Sequence, residues 1–232
     1  MSTWACRKTQ RLIWKILCQR DPSKQWLLDE QKAMEAAPTL GIRVPTIHRV
    51  VIDEKNNFFV MIMDLIPGSN VYDSWFKLSW RSTISLALQM RQILHALSTI
   101  TSPVTGKLVN SIIESPWIEA GYPPARRSTP AMFAGYLSAW TTLPKGVGAG
   151  WPFPVRPNIF VHQDLVFRNI HVDPQNRLWV LDWGYAGYFP SCFESMAIVE
   201  DPLNPGFLSP TLHGLSGWVG GDGVFTNSSS WE

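Results

Sequence analysis

Between positions 162 and 184 the chain carries oxygen and nitrogen groups at spacings that suit the handling of phosphate. His162-Gln163-Asp164-Leu165-Val166-Phe167-Arg168-Asn169 reads HxDxxxxN, and Leu181-Asp182-Trp183-Gly184 follows at the end of the next apolar run. Random placement of the chain's His, Asp and Asn residues would give HxDxxxxN roughly 0.008 times. An ordinary surface turn rich in Asp and Asn is therefore a poor explanation. Phosphoryl transfer needs little covalent chemistry and much positioning. It requires a group to accept the nucleophile's proton, and oxygen ligands for magnesium on the nucleotide phosphates. Asp164 can take a hydroxyl proton, Asn169 offers an amide oxygen, and Asp182 offers a carboxylate. His162 reads as a structural residue that orients the loop by hydrogen bonds, and His48 and His95 read as packing residues.

These groups need strand ends and a framework behind them. Asn158 to His162, Asn169 to Asp173 and Arg177 to Asp182 are short apolar, β-branched runs, the last two joined by Pro174-Gln175-Asn176 as a hairpin turn. Upstream, Leu86, Met90, Ile93 and Leu97 recur at helical spacing. Residues 101 to 157 are crowded with Pro and Gly and suggest one helix, near Pro130 to Trp140. Val44 to Asp53 and Asn57 to Ile66 flank a polar stretch, Glu54 to Asn57, and predict a β-hairpin. Arg11 to Leu17 reads as a strand. Ser23 reads as an N-cap, and Gln25 to Ala37 as a helix stopped by Pro38 and Gly41. The order is hairpin, helix, hairpin.

The motifs resemble the aminoglycoside phosphotransferase and choline kinase-like family, with its protein-kinase-like fold. FVHQDLVFRNIHVD looks like the family's catalytic loop, and LDWGYAGYFP, Leu181 to Pro190, is similar to its D-W-x-x-A-G-x-x-P stretch. The resemblance implies Asp164 as catalytic base, Asn169 and Asp182 as Mg²⁺ ligands, and ATP as the phosphate donor. Glu194 resembles a recurring family acid. FFVMIMDLIPGSNVYDSW is similar to the family's strand, hinge and helix, which implies adenine contacts from the Asp64 carbonyl and the Ile66 N–H. For phosphate anchoring the fold uses a strand lysine paired with a helix glutamate. Lys15 and Glu30 are the candidates, with Glu35 competing on the same helix. The resemblance extends over about residues 28 to 195.

It implies an α+β, two-lobe fold: a truncated N-terminal nucleotide-binding lobe at 1–66, a mainly helical catalytic lobe at 67–201, and a Gly/Ser/Pro-rich tail at 202–232 expected to be loosely ordered. Two departures stand out. The first glycine is Gly41, so no glycine-rich loop precedes Lys15, and the family-like pattern fades after Glu194. The expected activity is transfer of the ATP γ-phosphate to a hydroxyl of a small molecule. A catalytically inactive nucleotide-binding pseudokinase or fragment is the alternative. Protein-kinase activity fits less well, because no APE-like segment follows Asp182.

Composition agrees with a globular chain of 232 residues: 45% is hydrophobic and 16% charged, which speaks against overall disorder. Residues 1–177 hold all 20 Lys and Arg with 12 acids, whereas 178–232 hold 6 acids and no basic residue. The basic residues form no dense patch and the aromatics no stacking motif, so nucleic acid is not an expected partner. Cys6, Cys18 and Cys192 show neither disulfide nor zinc spacing, no apolar run spans a membrane, and the N-terminus lacks a signal-peptide core. A cytoplasmic protein without membrane partners is expected, and nothing in the sequence speaks to its oligomeric state.

Overall fold

A computed structural model describes residues 4–8, 12–17, 23–53, 58–118, 123–142 and 152–199. Four antiparallel strands, β1 (Trp4–Lys8), β2 (Leu12–Leu17), β3 (Ile47–Asp53) and β4 (Phe58–Asp64), form a sheet in the order β1-β2-β4-β3. The expected hairpin is β3 with β4; its turn at 54–57 lies outside the described residues, as does the tail expected at 202–232. Helix α1 (Ser23–Ala36) follows β2. It stops where a 3-10 turn, Ala37–Leu40, begins, and Gly41 closes that turn at φ 74, a backbone setting that favours glycine.

Beyond β4 come β5 (Ser69–Asn70), α2 (Val71–Ser74), α3 (Trp80–Ser98), β6 (Thr101–Ser102) and α4 (Pro130–Thr142). They are followed by β7 (Asn158–Val161), β8 (Ile170–Val172), β9 (Leu178–Val180), β10 (Gly187–Phe189) and α5 (Cys192–Val199). Two small sheets result, β10-β7-β6 and β5-β8-β9. Local chemistry explains the helix starts. Ser79 Oγ accepts the Ser82 N–H at the head of α3, and Asn70 Oδ1 accepts the Asp73 N–H at the head of α2. Pro130 opens α4, where a missing N–H costs nothing.

The apolar stripe of α3 is buried as its spacing requires: Leu86, Met90, Ile93 and Leu97, joined by Leu94. They share one core with Leu27 and Met34 of α1, Met61 of β4, and Phe160, Ile170, Leu178 and Val180 of the small sheets. A second core gathers Phe133, Val161, Phe189 and Phe193. Gln89 of α3 fastens the β8–β9 hairpin, donating to the Asn176 carbonyl at 2.9 Å and accepting the Leu178 N–H at 3.0 Å. Gly68 approaches the same hairpin so closely that a Cβ would stand 2.0 Å from the Val172 carbonyl oxygen. The chain leaving β4 is thereby pinned to the strand that follows Asn169.

Two histidines depart from the sequence expectation. His48 sits where a register shift interrupts β3, between Ile47 and Arg49, and such a bulge re-aims the side chain. Its ring is exposed and its Nε2 lies 2.7 Å from Asp64 Oδ1. His95 lies off the buried face of α3 and is exposed. Neither is a core packing residue.

Leu97→Ala opens a cavity at a site only 2% exposed and is expected to lower stability by about 2–5 kcal/mol. Chemical denaturation followed by circular dichroism checks this.

Candidate active site

The loop after β7 turns sharply, with Gln163 at φ 65. Such a value is uncommon for a residue with a side chain, and buried hydrogen bonds hold it there. The carboxylate of Glu194, on α5, accepts the His162 N–H at 2.5 Å and the Gln163 N–H at 3.4 Å through one oxygen, Oε2. Gln163 Nε2 donates to the Tyr185 carbonyl at 2.7 Å. His162 is fully buried; its Nδ1 accepts the Asp164 N–H at 3.2 Å, which leaves Nε2 to carry the proton and donate to the Leu181 carbonyl at 3.1 Å. The orienting role expected of His162 is the one its bonds describe.

The next turn, a 3-10 turn at Phe167–Asn169, swings Asn169 back onto Asp164. Asn169 Nδ2 donates to Asp164 Oδ2 at 2.8 Å and to the Asp164 carbonyl at 2.9 Å. That assigns the amide nitrogen to Asp164 and makes the amide oxygen the remaining donor atom. Asp164 Oδ1 lies 2.6 Å from Arg168 Nη2, whose side chain is 62% exposed. Burial raises the pKa of Asp164; the Arg168 guanidinium offsets this and the Asp182 carboxylate adds to it, leaving it above the usual carboxylate value.

Asp182 is joined to this loop through its neighbours. The Leu181 N–H donates to the Asn169 carbonyl at 2.8 Å, while the Leu181 carbonyl takes the His162 ring proton. Trp183 is fully buried against Phe160 and His162 and donates its indole N–H to the Val180 carbonyl. Asp182 itself stands at φ 63, half-buried, and its charge acts on Asp164. Asp164, Asn169 and Asp182 are thus brought together.

The other expected residues lie on the sheet side. Lys15 stands in β2 opposite Met61 of β4; its side chain, and hence its pairing with Glu30, lies outside the described residues. Glu30 is fully buried on α1. Glu35 is exposed, paired with Lys32 at 3.6 Å and accepting from Gln31 at 2.9 Å. It borders a groove of about 550 Å³ between α1 and β3 that contains none of the motif residues. Strand pairing of β4 ends at Asp64, and Ile66 is buried beyond it. Asp64 is pushed up by partial burial but drawn lower overall by hydrogen bonds from His48 and Thr46.

The HxDxxxxN loop is hydrogen-bonded to the strand end that carries Asp182, through the Leu181 backbone. Residues 2–218 match the model of the phosphotransferase enzyme family, APH. The chain belongs to that family. No curated relative matches it. Among solved structures, aminoglycoside phosphotransferase APH(4)-Ia is similar over 89% of this chain and 70% of that one, with a TM-score of 0.56 and 12% identity. The streptomycin-ATP-APH(2″)-IIa ternary complex is similar over 90% and 73%, with a TM-score of 0.55 and 17% identity. The GDP and kanamycin complex of APH(2″)-IIIa gives 88% and 70%, with a TM-score of 0.55 and 14% identity. At such identities the likeness is one of fold, and the fold is the protein-kinase-like α+β architecture expected from the motifs.

Sequence reading of this phosphotransferase-family chain missed Gln163, Arg168 and Tyr185 as parts of the site and left Glu194 without a role. Their partners are 4 to 32 residues away, and of these only the Arg168–Asp164 pair had a spacing that could have drawn notice.

Burial pushes Glu194 up to about 7, against the N–H bonds from His162 and Gln163 that pull it down. The folded chain therefore holds this proton more tightly than the unfolded one. The resulting stabilisation is complete below about pH 4.5 and is lost as pH rises through about 7. Glu194→Gln keeps an acceptor oxygen but cannot titrate, so its denaturation midpoint is expected to fall less between pH 5 and pH 8 than that of the parent chain.

Proposed function

We propose that the chain is an ATP- and Mg²⁺-dependent phosphotransferase that moves the γ-phosphate to a hydroxyl of a small molecule. The observation that carries this reading is the buried hydrogen-bond system joining Asp164, Asn169 and the Asp182 strand end. Asp164 is the base. One oxygen is held by Asn169 and the other faces Arg168 at the loop surface, so the carboxylate cannot turn away from an entering hydroxyl. Its raised proton affinity favours proton uptake as the hydroxyl attacks.

The donor set fits magnesium. Asn169 spends its N–H on Asp164 and keeps its oxygen, and Asp182 adds a carboxylate. Magnesium commonly takes one or two protein oxygens together with substrate phosphates. When bound, the ion would neutralise charge on the phosphates. Among the described residues no group of three His, Cys, Asp or Glu could hold a metal by itself. Lys15 and Glu30 serve in this reading as the phosphate-anchoring pair, and the Asp64 carbonyl and Ile66 N–H as the adenine contacts. The buried position of Glu30, against the exposed Glu35, supports that choice.

Arg168 bears on the acceptor. Its guanidinium is exposed, and among the described residues it donates through Nη2 to Asp164. A neutral or anionic alcohol approaching Asp164 meets a compatible cation there. A polyamine such as the kanamycin of the similar APH(2″)-IIIa structure would meet a like charge.

Three outcomes are expected. Asp164→Ala lowers turnover by about 10²-fold or more in a coupled ADP-release assay and still binds nucleotide. Asp182→Asn loses the Mg²⁺-dependent part of ATP affinity in calorimetric titration; a folded parent chain that binds no ATP would replace the enzyme reading with the inactive one. Across a panel of hydroxyl acceptors kcat/KM falls as positive charge on the acceptor rises, and Arg168→Gln narrows that dependence. A polyamine as the best acceptor would overturn the charge preference.

A further inference from the structure

Apart from the groups that would meet substrate, the chain buries a cation. Lys107 lies in the segment after β6, and its side chain is 1% exposed. Its Nζ stands 2.6 Å from Glu114 Oε2, 4.9 Å from the ring centre of Trp26 and 5.9 Å from that of Tyr185. The two rings meet edge to face at 5.7 Å. Burying an ammonium group is costly unless it is compensated. Here the compensation comes from three parts of the chain: α1, the 107–114 segment, and the stretch just after Asp182. Burial lowers the pKa of Lys107, and the carboxylates of Glu114, Asp29 and Glu30 oppose that shift.

The contacts of Trp26 and Tyr185 give this cluster its direction. Trp26, Asp29 and Glu30 occupy positions i, i+3 and i+4 on α1, a single face. Asp29 Oδ1 accepts the Val109 N–H at 2.7 Å, fastening that face to the lysine's own segment. Trp26 lies flush on Gly184, where a Cβ would come within 2.1 Å of its Cη2. Tyr185 feels the charges of Glu114, Asp164 and Asp182, and its carbonyl takes the Gln163 amide. The seat of α1 and the course of the chain leaving Asp182 therefore meet at one ammonium group.

We propose that Lys107 is a positioning residue that docks α1 onto Gly184 and Tyr185 and thereby holds the Asp182 carboxylate in its nucleotide-competent place. This rests on the phosphotransferase reading and extends it. Lys107 is sealed from solvent; it meets the Asp182 segment through Trp26 and Tyr185, and its charge also acts on Asp29 and Glu30 of α1. The Asp182 segment owes its placement to a contact with the nucleotide-side helix as well as to the catalytic loop.

The test uses the full chain with Lys107→Met, which keeps the apolar stem and removes the charge, and Lys107→Arg, which restores a cation. Calorimetric titration with ATP is run with and without Mg²⁺. Lys107→Met is expected to lose at least about tenfold of the Mg²⁺-dependent gain in affinity while Mg²⁺-free ATP binding changes by less than about threefold, and Lys107→Arg to recover part of the loss. Equal weakening in both conditions would reduce Lys107 to a general structural role and overturn the proposal. Should Lys107→Met fail to fold, Tyr185→Leu is expected to show the same selective loss, with Tyr185→Phe behaving like the parent; a normal Mg²⁺ response in Tyr185→Leu would sink the idea. A second readout separates this proposal from the activity it rests on. If the parent chain binds no nucleotide, the phosphotransferase reading fails. The docking role then stands or falls on amide hydrogen exchange, which Lys107→Met or Tyr185→Leu is expected to speed at residues 182–186 and which unchanged protection would refute.

Discussion

Irregular backbone buried inside a core must find partners for its N–H and C=O groups, and the catalytic architecture of this chain is a solution to that constraint. The loop after β7 and the stretch after β9 are both irregular, and each supplies what the other lacks. His162 gives its ring proton to the Leu181 carbonyl, Asn169 takes the Leu181 N–H, and Gln163 reaches the Tyr185 carbonyl. Glu194 closes the far side by taking two N–H groups. Gln163 and Asp182 both sit at positive φ, and such settings persist where the surroundings over-determine them. Satisfying the backbone and aligning the carboxylates are the same event.

The same burial shapes the electrostatics. Asp164 and Glu194 are both driven up by desolvation, and the Asp164 charge adds to the shift of Glu194 as the Asp182 charge does to that of Asp164. Cations answer from two sides. Arg168 meets Asp164 at the loop surface, and Lys107 sits among Glu114, Trp26 and Tyr185 beneath it. The exposed cation can respond to an incoming molecule, whereas the buried one belongs to the frame. Among the described residues no helix is long and apolar enough to cross a membrane.

The frame itself follows from modest local signals. α3 buries a stripe readable at a glance, and its Gln89 fastens the hairpin that carries Asn169 toward Asp182. Gly68 and Gly184 are glycines for steric reasons, since each lets another part of the chain come closer than a Cβ would allow. Those two approaches tie the chain leaving β4 to the catalytic hairpin, and α1 to the residue pair after Asp182. The fold is the one shared with solved phosphotransferases at 12% and 17% identity.

Local sequence was enough to determine the strands from β2 onward that carry the motifs, the α3 stripe and α4, and to single out Asp164, Asn169 and Asp182 as residues that the fold then brings together, because spacing and apolar period are properties of neighbouring residues. It also sufficed for the family, whose motif is itself a local pattern. It misjudged His48 and His95, because a bulge in β3 and the rotational setting of α3 decide which way those rings point. The clamp by Glu194 and the burial of Lys107 were beyond it for a related reason. Both depend on the distance between atoms that meet only once the chain folds back on itself: Glu194 lies 32 residues from His162, and Lys107 lies 81 from Trp26 and 78 from Tyr185. Only the packed structure could choose Glu30 over Glu35 as the inward acid, since both lie on one helix of like composition and burial alone separates them.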